Sequence, residues 1–498
     1  MIDVPALLDG VMRIDPSAEA IEWEGRWTSW AAFDGKVGAI AALIDGLGLP
    51  KGARVGVLLR NRLPQLAALF ATIRQDACLV TLNPAYPDAS LAEDIDRLAL
   101  PLLVGERADL DRAGIAEASS RAGTALIVLD EEGPSLMQAR DASVMQTIAA
   151  PDVMIEMLTS GTTGKPKRVA LTRNAFQHSF TAALAYEGDR AGAVEPKLRS
   201  GTQILVAPLT HIGGIWGAIN TVAAGRRMVL LEKFRVAPWH GAVVRHRPVV
   251  ASMTSAGLRM ILDADIARAD LASIRVLTAG AAPVEPEVID AFWDRYGIPV
   301  LSNYGATEFA GPVAGWSLAD FKDFRDTKRG SAGRVHREVD ARVVDPETGA
   351  ILPAGMEGVL ELRAPQLADP DRWLRTTDKA RLDTDRFLWI TGRADAAIIR
   401  GGFKVQPDDV VRALERHPDV REAVVVGIPD SRLGQVPAAA IMVRAGADAP
   451  SQEALREWLR DRLLPYQVPA LFRFVEDVPR SASMKPILPD VAAMFTQS

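Results

Sequence analysis

Over roughly the first 300 residues, short apolar runs alternate with longer stretches of helical periodicity. The run Val55–Leu59 predicts a strand, Asn61 offers a helix cap and Pro64 a first helical turn. The apolar face of that helix consists of Leu63, Leu66, Phe70 and Ile73. Further strands are predicted at 77–82, 101–104, 125–129, 153–158, 203–207, 228–231, 249–252, 274–278 and 300–303. Strands separated by helices in this way indicate an α/β fold whose partly parallel sheets are covered by helices.

The pattern changes near residue 331. Turn signals such as Asp345–Gly349 and Pro353–Gly355 separate short apolar runs, which predicts a small β-rich subdomain. After Arg393 short helices and strands mix again, and a helix is expected at Ser451–Leu464. A chain of 498 residues should contain about two to four structural units. The expected fold class is therefore α/β, with a large N-terminal part of two mixed sheets plus the β-rich subdomain, followed by a small α+β C-terminal domain.

Composition and charge exclude several classes of protein. Hydrophobic residues make up 48% of the chain and charged residues 24%, which excludes wholesale disorder. The net charge of −6 provides no global attraction for nucleic acid or for an anionic membrane. The single cysteine, Cys78, allows no disulfide within the chain and favours a reducing, cytoplasmic location.

The stretch between Arg199 and Arg226 contains no Lys, Arg, Asp or Glu, so it must be considered as a membrane span. A spanning helix needs about 20 predominantly apolar residues. This stretch contains Pro208, Asn220 and five glycines, so we interpret it as buried core. No integral membrane segment is expected, and the acidic N-terminus does not resemble a signal peptide.

The segment richest in reactive groups is Thr159–Lys167, with the sequence Thr-Ser-Gly-Thr-Thr-Gly-Lys-Pro-Lys. Glycines let backbone N–H groups approach a polyphosphate, hydroxyls donate to its oxygens, and lysines offset its charge. The segment follows a predicted strand, and α/β folds place ligands at that end of a strand. Its two glycines are too close together for a Walker loop. The density of hydroxyls favours a different phosphate-binding loop over a solvated surface turn.

Thr159–Lys167 resembles the signature loop of the adenylate-forming superfamily, which includes acyl-CoA and aryl-CoA synthetases. Five further segments resemble motifs of this family and follow in the family's order. They are Pro208–Gly214, Asn303–Glu308, Arg375–Asp378, the stretch from Gly392 to Val405, and Pro479–Lys485. Ordered agreement of this kind is not expected by chance.

The resemblance implies a reaction in two halves. A carboxylate attacks the α-phosphate of ATP, giving acyl-adenylate and pyrophosphate, and a thiol, usually that of CoA, then takes the acyl group. Glu308 would bind Mg²⁺, Thr307 would contact the phosphates and Tyr304 would stack on adenine. Asp378 would accept both ribose hydroxyls with Arg393 nearby. The residues implied in ATP or AMP binding are Thr159, Ser160, Gly161, Thr162, Thr163, Gly164, Lys165, Lys167, Gly280, Ala281, Ala282, Asn303, Tyr304, Gly305, Asp378, Arg393 and Lys485.

The same resemblance assigns catalysis and domain motion to the C-terminal part. Lys485 would bridge the carboxylate and the α-phosphate as a mobile point charge. Asp395 corresponds to the family's hinge, and Gly401–Gly402 to the loop that faces the CoA channel after the small domain has turned. The chain would thus divide into an adenylation part at 1–394 and a mobile lid domain at 395–498.

His211 resembles the histidine beside the acyl carboxylate. The residues implied in the acyl pocket are His211, Gly213, Gly214, Trp216 and Ala306. This lining has no carboxylate to pair an α-ammonium, which disfavours an amino-acid substrate. An apolar fatty, alicyclic or aromatic acid is expected, and the sequence leaves its identity open. The alternative for these small residues is close packing beside the nucleotide, with Trp216 filling the space.

Three positions depart from the family pattern: Arg168, Thr377 and Met484 stand where the family often has glycine. None of these changes removes a charged or stacking group that the resemblance assigns. Met484 directly precedes Lys485, so its larger side chain could restrict how that segment enters the site.

The sequence therefore predicts an enzyme, an ATP-dependent carboxylic acid–CoA ligase that uses ATP, Mg²⁺ and CoA and requires no other metal. An adenylate-forming ligase that transfers the acyl group to a carrier-protein phosphopantetheine is an alternative, and a luciferase-like oxidase is another. A non-catalytic nucleotide-binding paralogue is disfavoured because Lys485, Glu308 and Asp378 are present together. The oligomeric state stays open.

Overall fold

We used a computed structural model of the chain, which describes residues 3–141, 143, 149–159, 167–186, 195–280, 282–393, 398–400, 403–430, 432–481 and 484–496. The chain forms two compact units. The first unit comprises Met1–Thr159, Lys167–Asp323 and Ala364–Asp371, and the second contains Phe324–Arg363 and Arg372–Ser498.

The first unit alternates helices and strands. Its helices are α1 (Val4–Met12), α2 (Trp30–Gly46), α3 (Leu63–Arg74), α4 (Asp88–Leu98), α5 (Arg107–Leu110), α6 (Ile115–Arg121), α7 (Arg173–Tyr186), α8 (Ile212–Ala223), α9 (Val236–His246), α10 (Ser255–Asp263), α11 (Pro286–Tyr296) and α12 (Leu318–Phe324), which ends at the unit boundary. Its strands are β1 (Glu19–Trp23), β2 (Arg26–Ser29), β3 (Arg54–Leu58), β4 (Cys78–Leu82), β5 (Leu102–Gly105), β6 (Ala125–Asp130), β7 (Gly133–Gln138), β8 (Val153–Thr159), β9 (Lys167–Thr172), β10 (Thr202–Leu205), β11 (Arg227–Leu230), β12 (Val250–Met253), β13 (Val276–Ala279), β14 (Val300–Ala306) and β15 (Gly311–Gly315).

These strands form mixed sheets. A seven-stranded sheet has the order β7-β6-β5-β3-β4-β8-β9, parallel except at its two edge strands. A four-stranded sheet has the order β10-β11-β1-β2. In a third sheet, β12, β13 and β14 are parallel, and β15 pairs antiparallel with β14. Parallel strands buried on both faces account for the continuous apolar runs in the sequence. The predicted α/β class is confirmed.

Asn61 does not cap α3 as the sequence suggested. The helix begins at Leu63, and its N-cap is Arg62, whose side chain makes no capping bond. Asn61 is buried, and its Nδ2 donates to the backbone oxygens of Ala207 and Leu231 at 3.0 and 3.2 Å. Its Oδ1 accepts from the backbone N–H of Leu209 at 2.8 Å. The side chain therefore satisfies distant buried backbone groups, which outweighs a local helix cap.

The described residues of the second unit form two mainly antiparallel sheets and three helices. The helices are α13 (Pro407–Glu415), α14 (Gln452–Arg460) and α15 (Leu488–Thr496). The strands are β16 (Arg334–Val335), β17 (Asp340–Val344), β18 (Glu357–Arg363), β19 (Leu374–Leu382), β20 (Leu388–Arg393), β21 (Ile398–Arg400), β22 (Phe403–Val405), β23 (Val420–Asp430), β24 (Gly434–Val443) and β25 (Leu471–Phe474). Strands β17 to β20 form the predicted β-rich sheet as an antiparallel meander, and β22, β21, β24 and β23 form the other sheet, with β25 parallel to β24.

Alternating residues of β23 face two separate cores. Ala423 and Val425 pack with residues of α13 and α14, whereas Val424 and Val426 pack with Val491 of α15. This period-two pattern shows that the strand is covered on both faces. The helix expected at 451–464 is shorter than predicted and ends at Arg460, five residues before a proline. No helix among the described residues is long and apolar enough to cross a membrane.

The single cysteine should be chemically silent in the folded protein. Cys78 is fully buried in β4, and this burial, together with the nearby Glu156 carboxylate, raises the pKa of its thiol to about 12. At pH 8 only about one molecule in ten thousand would carry the reactive thiolate. We expect the native protein not to react at pH 8 with an aromatic disulfide that titrates thiols. After denaturation one thiol per chain should react. Rapid labelling without denaturant would contradict this burial.

Candidate active site

The predicted phosphate-binding loop connects β8 to β9. These strands pair antiparallel, with Thr159 opposite Lys167, and β9 is the edge strand of the seven-stranded sheet. Lys167 is exposed at the start of β9. The predicted loop residues Ser160, Gly161, Thr162, Thr163, Gly164 and Lys165 lie outside the described residues. The paired ends of these two strands, Thr159 and Lys167, are therefore the points between which the predicted loop runs.

Gly280 and Asn303 meet at the carboxyl ends of the parallel strands β13 and β14. An added Cβ at Gly280 would lie 2.4 Å from Asn303 Oδ1, so a larger residue would displace that amide. Tyr304 follows on β14 and is half-buried, with its ring centroid 5.8 Å from that of Phe309. Gly305 is exposed on the same strand. Ligands bind at this edge in open α/β sheets, and the nucleotide contacts of these residues stay a prediction.

The 3₁₀ turn Thr307–Phe309 presents the motif carboxylate. Glu308 is exposed, whereas Phe309 and Ala310 are buried, and Ala310 has a left-handed φ of 54°. The turn contacts β9, which begins at Lys167. The first unit therefore holds the turn that carries Glu308 beside the strand that follows the predicted phosphate loop.

His211 is the N-cap of α8. Its Nδ1 accepts from the backbone N–H of Gly213 at 3.2 Å. A neutral imidazole that accepts at Nδ1 carries its proton at Nε2, so the ring can act as a hydrogen-bond donor there. The bonds of Asn61 to Leu209 N and Ala207 O fix the backbone just before the histidine.

The small residues expected in the acyl pocket differ in what surrounds them. An added Cβ at Gly214 would lie 2.0 Å from a backbone carbonyl of its own segment, so Gly214 is required for close packing. At Gly213 the nearest atom would be 3.4 Å away, which leaves ordinary van der Waals space. Trp216 is half-buried and packs against the main core of the first unit, and Ala306 is half-buried at the end of β14. The acyl-pocket role of these residues stays a prediction.

Asp378 and Arg393 lie directly opposite each other on β19 and β20. The guanidinium Nη1 is 3.7 Å from the Asp378 carboxylate, and Nη2 donates to the Thr377 hydroxyl. The backbone N–H of Asp378 donates to Thr376 Oγ1 at 3.1 Å. An oriented carboxylate beside a guanidinium is suited to a pair of ribose hydroxyls.

A second carboxylate lies behind this pair. Asp408 lies in the first turn of α13. A Cβ added at Gly392, whose φ is 154°, would lie 3.0 Å from Asp408 Oδ2, so the carboxylate packs closely on this glycine. Burial raises the pKa of the Asp408 carboxyl, while Arg412 and Arg393 partly oppose the shift. No motif in the sequence pointed to Asp408, because its surroundings are created by packing between α13 and β20.

Lys485 is half-buried in the second unit and directly follows Met484, which has a left-handed φ of 63°.

Among the other predicted positions, Ala282 is exposed. Ala281, the hinge residue Asp395 and the CoA-loop residues Gly401 and Gly402 lie outside the described residues. The proposed boundary between 394 and 395 falls there too, and it stays a prediction.

The chain matches the family model described as AMP-binding enzyme over residues 10–369. The chain belongs to this family. Residues 412–485 also match the AMP-binding enzyme C-terminal domain. The resemblance read from the six motifs is therefore confirmed.

Relatives of this AMP-binding enzyme span its length. A 2–succinylbenzoate–CoA ligase of Bacillus cereus is 28% identical over 95% of this chain and 94% of its own. The 4-coumarate–CoA ligase 2 of Oryza sativa subsp. japonica is 29% identical over 89% of this chain and 84% of its own. The solved structure of a variant of the amide bond synthetase Mcba from Marinactinospora thermotolerans is 27% identical, covers 99% of both chains and has a TM-score of 0.79. The predicted enzyme class, an acid–thiol ligase, is confirmed by the CoA ligases among them.

The structure of this AMP-binding enzyme accounts for Arg168. Arg168 lies on β9 immediately after Lys167, and its Nη2 bonds the Asp94 carboxylate of α4 at 2.5 Å. Its Nε lies 3.8 Å from Glu156 on β8, which is itself paired bidentately with Arg54. Both Arg168 and Asp94 are nearly buried, with side-chain exposures of 13% and 11%. The side chain thus ties the edge strand to the neighbouring helix.

We expect Arg168→Gly to lower the free energy of unfolding of the first unit by roughly 2 kcal/mol, because the nearly buried Asp94 carboxylate loses one of its ion-pair partners. The matched control is Arg97→Ala: Arg97 bonds the same Asp94 carboxylate but is 64% exposed, so its loss should cost less than about 1 kcal/mol. Urea unfolding of both variants checks the prediction. An equal cost for the two arginines would show that burial of the Arg168 pair contributes nothing.

Proposed function

We propose that this chain is an ATP-dependent carboxylic acid–CoA ligase that works through an acyl-adenylate. The observation that carries the proposal is the contact between the turn holding Glu308 and the strand that begins at Lys167. In our proposal Glu308 of this turn is the carboxylate that binds the metal, and Lys167 is a cation beside the predicted phosphate loop. The CoA-ligase relatives, which align over most of the chain, support the same reaction.

In the first half-reaction a carboxylate oxygen of the acid attacks the α-phosphorus of ATP. A new P–O bond forms to the acid, the bond to the β-phosphate breaks, and pyrophosphate leaves. Both reactants are anions, so cations must offset their repulsion. In our proposal Lys485 spans the carboxylate and α-phosphate, Lys167 and the loop hold the β- and γ-phosphates, and Glu308 holds the Mg²⁺ that arrives with ATP.

In the second half-reaction the thiol sulfur of CoA attacks the acyl carbon. A thioester bond forms, the acyl–phosphate bond breaks, AMP leaves, and the thiol proton is released. Asp378 and Arg393 would hold the ribose of the adenylate, and His211 would donate from Nε2 towards the acyl group. The domain rotation about Asp395, with Gly401–Gly402 facing the CoA channel, is part of the proposal.

Among apolar acids we propose an aromatic substrate. Two relatives are named for aryl acids, 2-succinylbenzoate and 4-coumarate. The lack of a side chain at Gly213, where an added Cβ would make ordinary van der Waals contact with His211, and the small side chain of Ala306 are compatible with a flat ring. A cytoplasmic location, where ATP and CoA are available, goes with this function.

A second acceptor is worth separating experimentally, because one solved relative is an amide bond synthetase. An amine would attack the same acyl carbon and release AMP, so adenylation would look identical for both. A CoA ligase and an amide synthetase would differ only in the second half-reaction, in which the nucleophile is a thiol or an amine.

The test incubates the protein with ATP, Mg²⁺ and a panel of aryl, alicyclic and fatty acids. Each acid is run with CoA, with phosphopantetheine on a carrier protein, with a primary amine, and with no acceptor. Pyrophosphate, AMP and the acyl product are followed. Acid-dependent AMP release that requires CoA and yields acyl-CoA supports the proposal. Amide formation without thioester would overturn the CoA assignment, and no adenylation with any acid would overturn the enzyme assignment.

A further inference from the structure

The turn that carries Lys485 is closed by its own backbone. Arg480 and Pro486 form an antiparallel bridge. The backbone N–H of Ser481 donates to the carbonyl of Lys485 at 2.8 Å, and the N–H of Lys485 donates to Ser481 Oγ at 3.2 Å. Both backbone polar groups of Lys485 are therefore bound to one residue, which fixes the point from which its side chain extends.

Met484 completes this turn in an unfavourable backbone conformation. Its φ of 63° lies in the left-handed region, which costs a residue with a Cβ about 1–2 kcal/mol. Its N–H donates to the carbonyl of Ser481 at 2.9 Å, and its own carbonyl accepts from Arg480 Nη1 at 3.1 Å. Hydrogen bonds on both sides of Met484 thus oppose its return to an ordinary conformation.

Arg480 is anchored independently of the turn. Its side chain is 10% exposed, and its Nη2 bonds Glu422 of β23 at 2.8 Å. Its Nε bonds Asp477 at 3.0 Å. The guanidinium is planar, so fixing two of its branches on these carboxylates also fixes the direction of the third, which holds the Met484 carbonyl. A lysine ammonium has no such rigid fork.

We propose that Arg480 is a positioning residue for Lys485: it transmits the fixed geometry of β23 and Asp477 to the strained carbonyl that precedes the lysine. This inference rests on the proposed role of Lys485 in adenylation. A displacement of about 1 Å in a catalytic group can cost on the order of a hundredfold in rate. An alternative role for Arg480 is general stabilisation of the second unit through its Glu422 ion pair.

The half-reactions separate these roles. In Arg480→Met we expect acid-dependent pyrophosphate release to fall about 30-fold. The KM for ATP should change by less than about twofold, and thioester formation from supplied acyl-adenylate should be kept. Arg480→Lys should restore only a small part of the rate because it cannot form all three bonds. The matched control is Arg456→Met. Arg456 also packs on the sheet of this unit, with its guanidinium over the Phe472 ring and an Nη2 bond to the carbonyl of Ala470. Among the described residues of the turn, 480, 481 and 484–486, none is bonded to Arg456.

A second variant tests whether Arg480 acts by opposing the backbone strain at Met484. Glycine adopts the left-handed region without strain, so Met484→Gly should recover about tenfold of the lost adenylation rate when combined with Arg480→Met. Equal loss of both half-reactions in Arg480→Met, or no rescue by Met484→Gly, would overturn the inference. Failure of Lys485→Ala to impair adenylation would instead overturn the proposed function, so the two failures are distinguishable.

Discussion

Lys485→Ala is expected to lower the rate of acyl-adenylate formation by about 10²–10³-fold and to leave thioester formation from supplied acyl-adenylate unchanged. In the first half-reaction the ammonium would offset the repulsion between the acid and the α-phosphate, and a lost electrostatic contact of this kind costs about 10²–10³-fold. In the second half-reaction the thiol attacks the acyl carbon, so no carboxylate has to approach the α-phosphate and the ammonium has no such repulsion to offset. Pyrophosphate release and acyl-CoA formation from synthetic acyl-adenylate measure the two steps separately.

A matched lysine variant controls for the loss of positive charge. Lys51→Ala removes an exposed lysine whose ammonium lies 3.2 Å from Asp76, far in sequence from every motif. Both half-reactions should be unchanged in that variant. If Lys485→Ala lost both half-reactions equally, the assignment of Lys485 to adenylation alone would be wrong, and so would the alternation of the C-terminal domain proposed from the motifs.

The sequence predicted the positions of strands along the chain better than the ends of helices. Each of the predicted strands from 55–59 to 300–303 has a counterpart, because a parallel strand buried on both faces is an uninterrupted apolar run. Helix ends were less well predicted: α14 stops at Arg460 rather than 464. Helix termini depend on a few hydrogen bonds and on distant packing, which leave a weak local signal.

Asn61 illustrates what a local pattern cannot contain. An asparagine before a helical stretch is a typical cap, yet its partners lie 146 to 170 residues away in the sequence. The same holds for the carboxylates that support the motifs. Arg168 and Asp94 are 74 residues apart, and Arg480 and Glu422 are 58 apart. Motif residues could be named by resemblance, whereas the residues that orient them required the fold.

The three departures from family glycines have separate physical consequences. At Arg168 and Thr377 the new side chain supplies a bond that glycine cannot make, to Asp94 and from Arg393 respectively. At Met484 the backbone keeps a left-handed φ, the conformation for which glycine is normally used. Two departures therefore add a contact next to a motif, and the third adds strain that neighbouring hydrogen bonds must offset.

Glu308→Gln should raise the Mg²⁺ concentration needed for adenylation and lower the maximal rate by about 10²-fold, because an amide oxygen lacks the charge of the ligand that Mg²⁺ prefers. The substitution keeps the size of the side chain. The turn itself is held by buried Phe309 and Ala310, so it should persist in the variant. A Mg²⁺ titration of pyrophosphate release at fixed ATP and acid measures both effects.

The matched control for Glu308→Gln is Glu117→Gln, an exposed carboxylate on α6 of the same unit and outside every motif. Its Mg²⁺ titration should coincide with that of the unaltered enzyme. A lowered rate in Glu308→Gln with an unchanged Mg²⁺ requirement would place the Glu308 carboxylate away from the metal. It would then be acting on the phosphates or on the position of Thr307, and the contact between the 3₁₀ turn and β9 would serve phosphate binding rather than metal binding. A shifted requirement would mean that this contact brings the metal ligand to the phosphate loop, which is the arrangement that an adenylate-forming step needs.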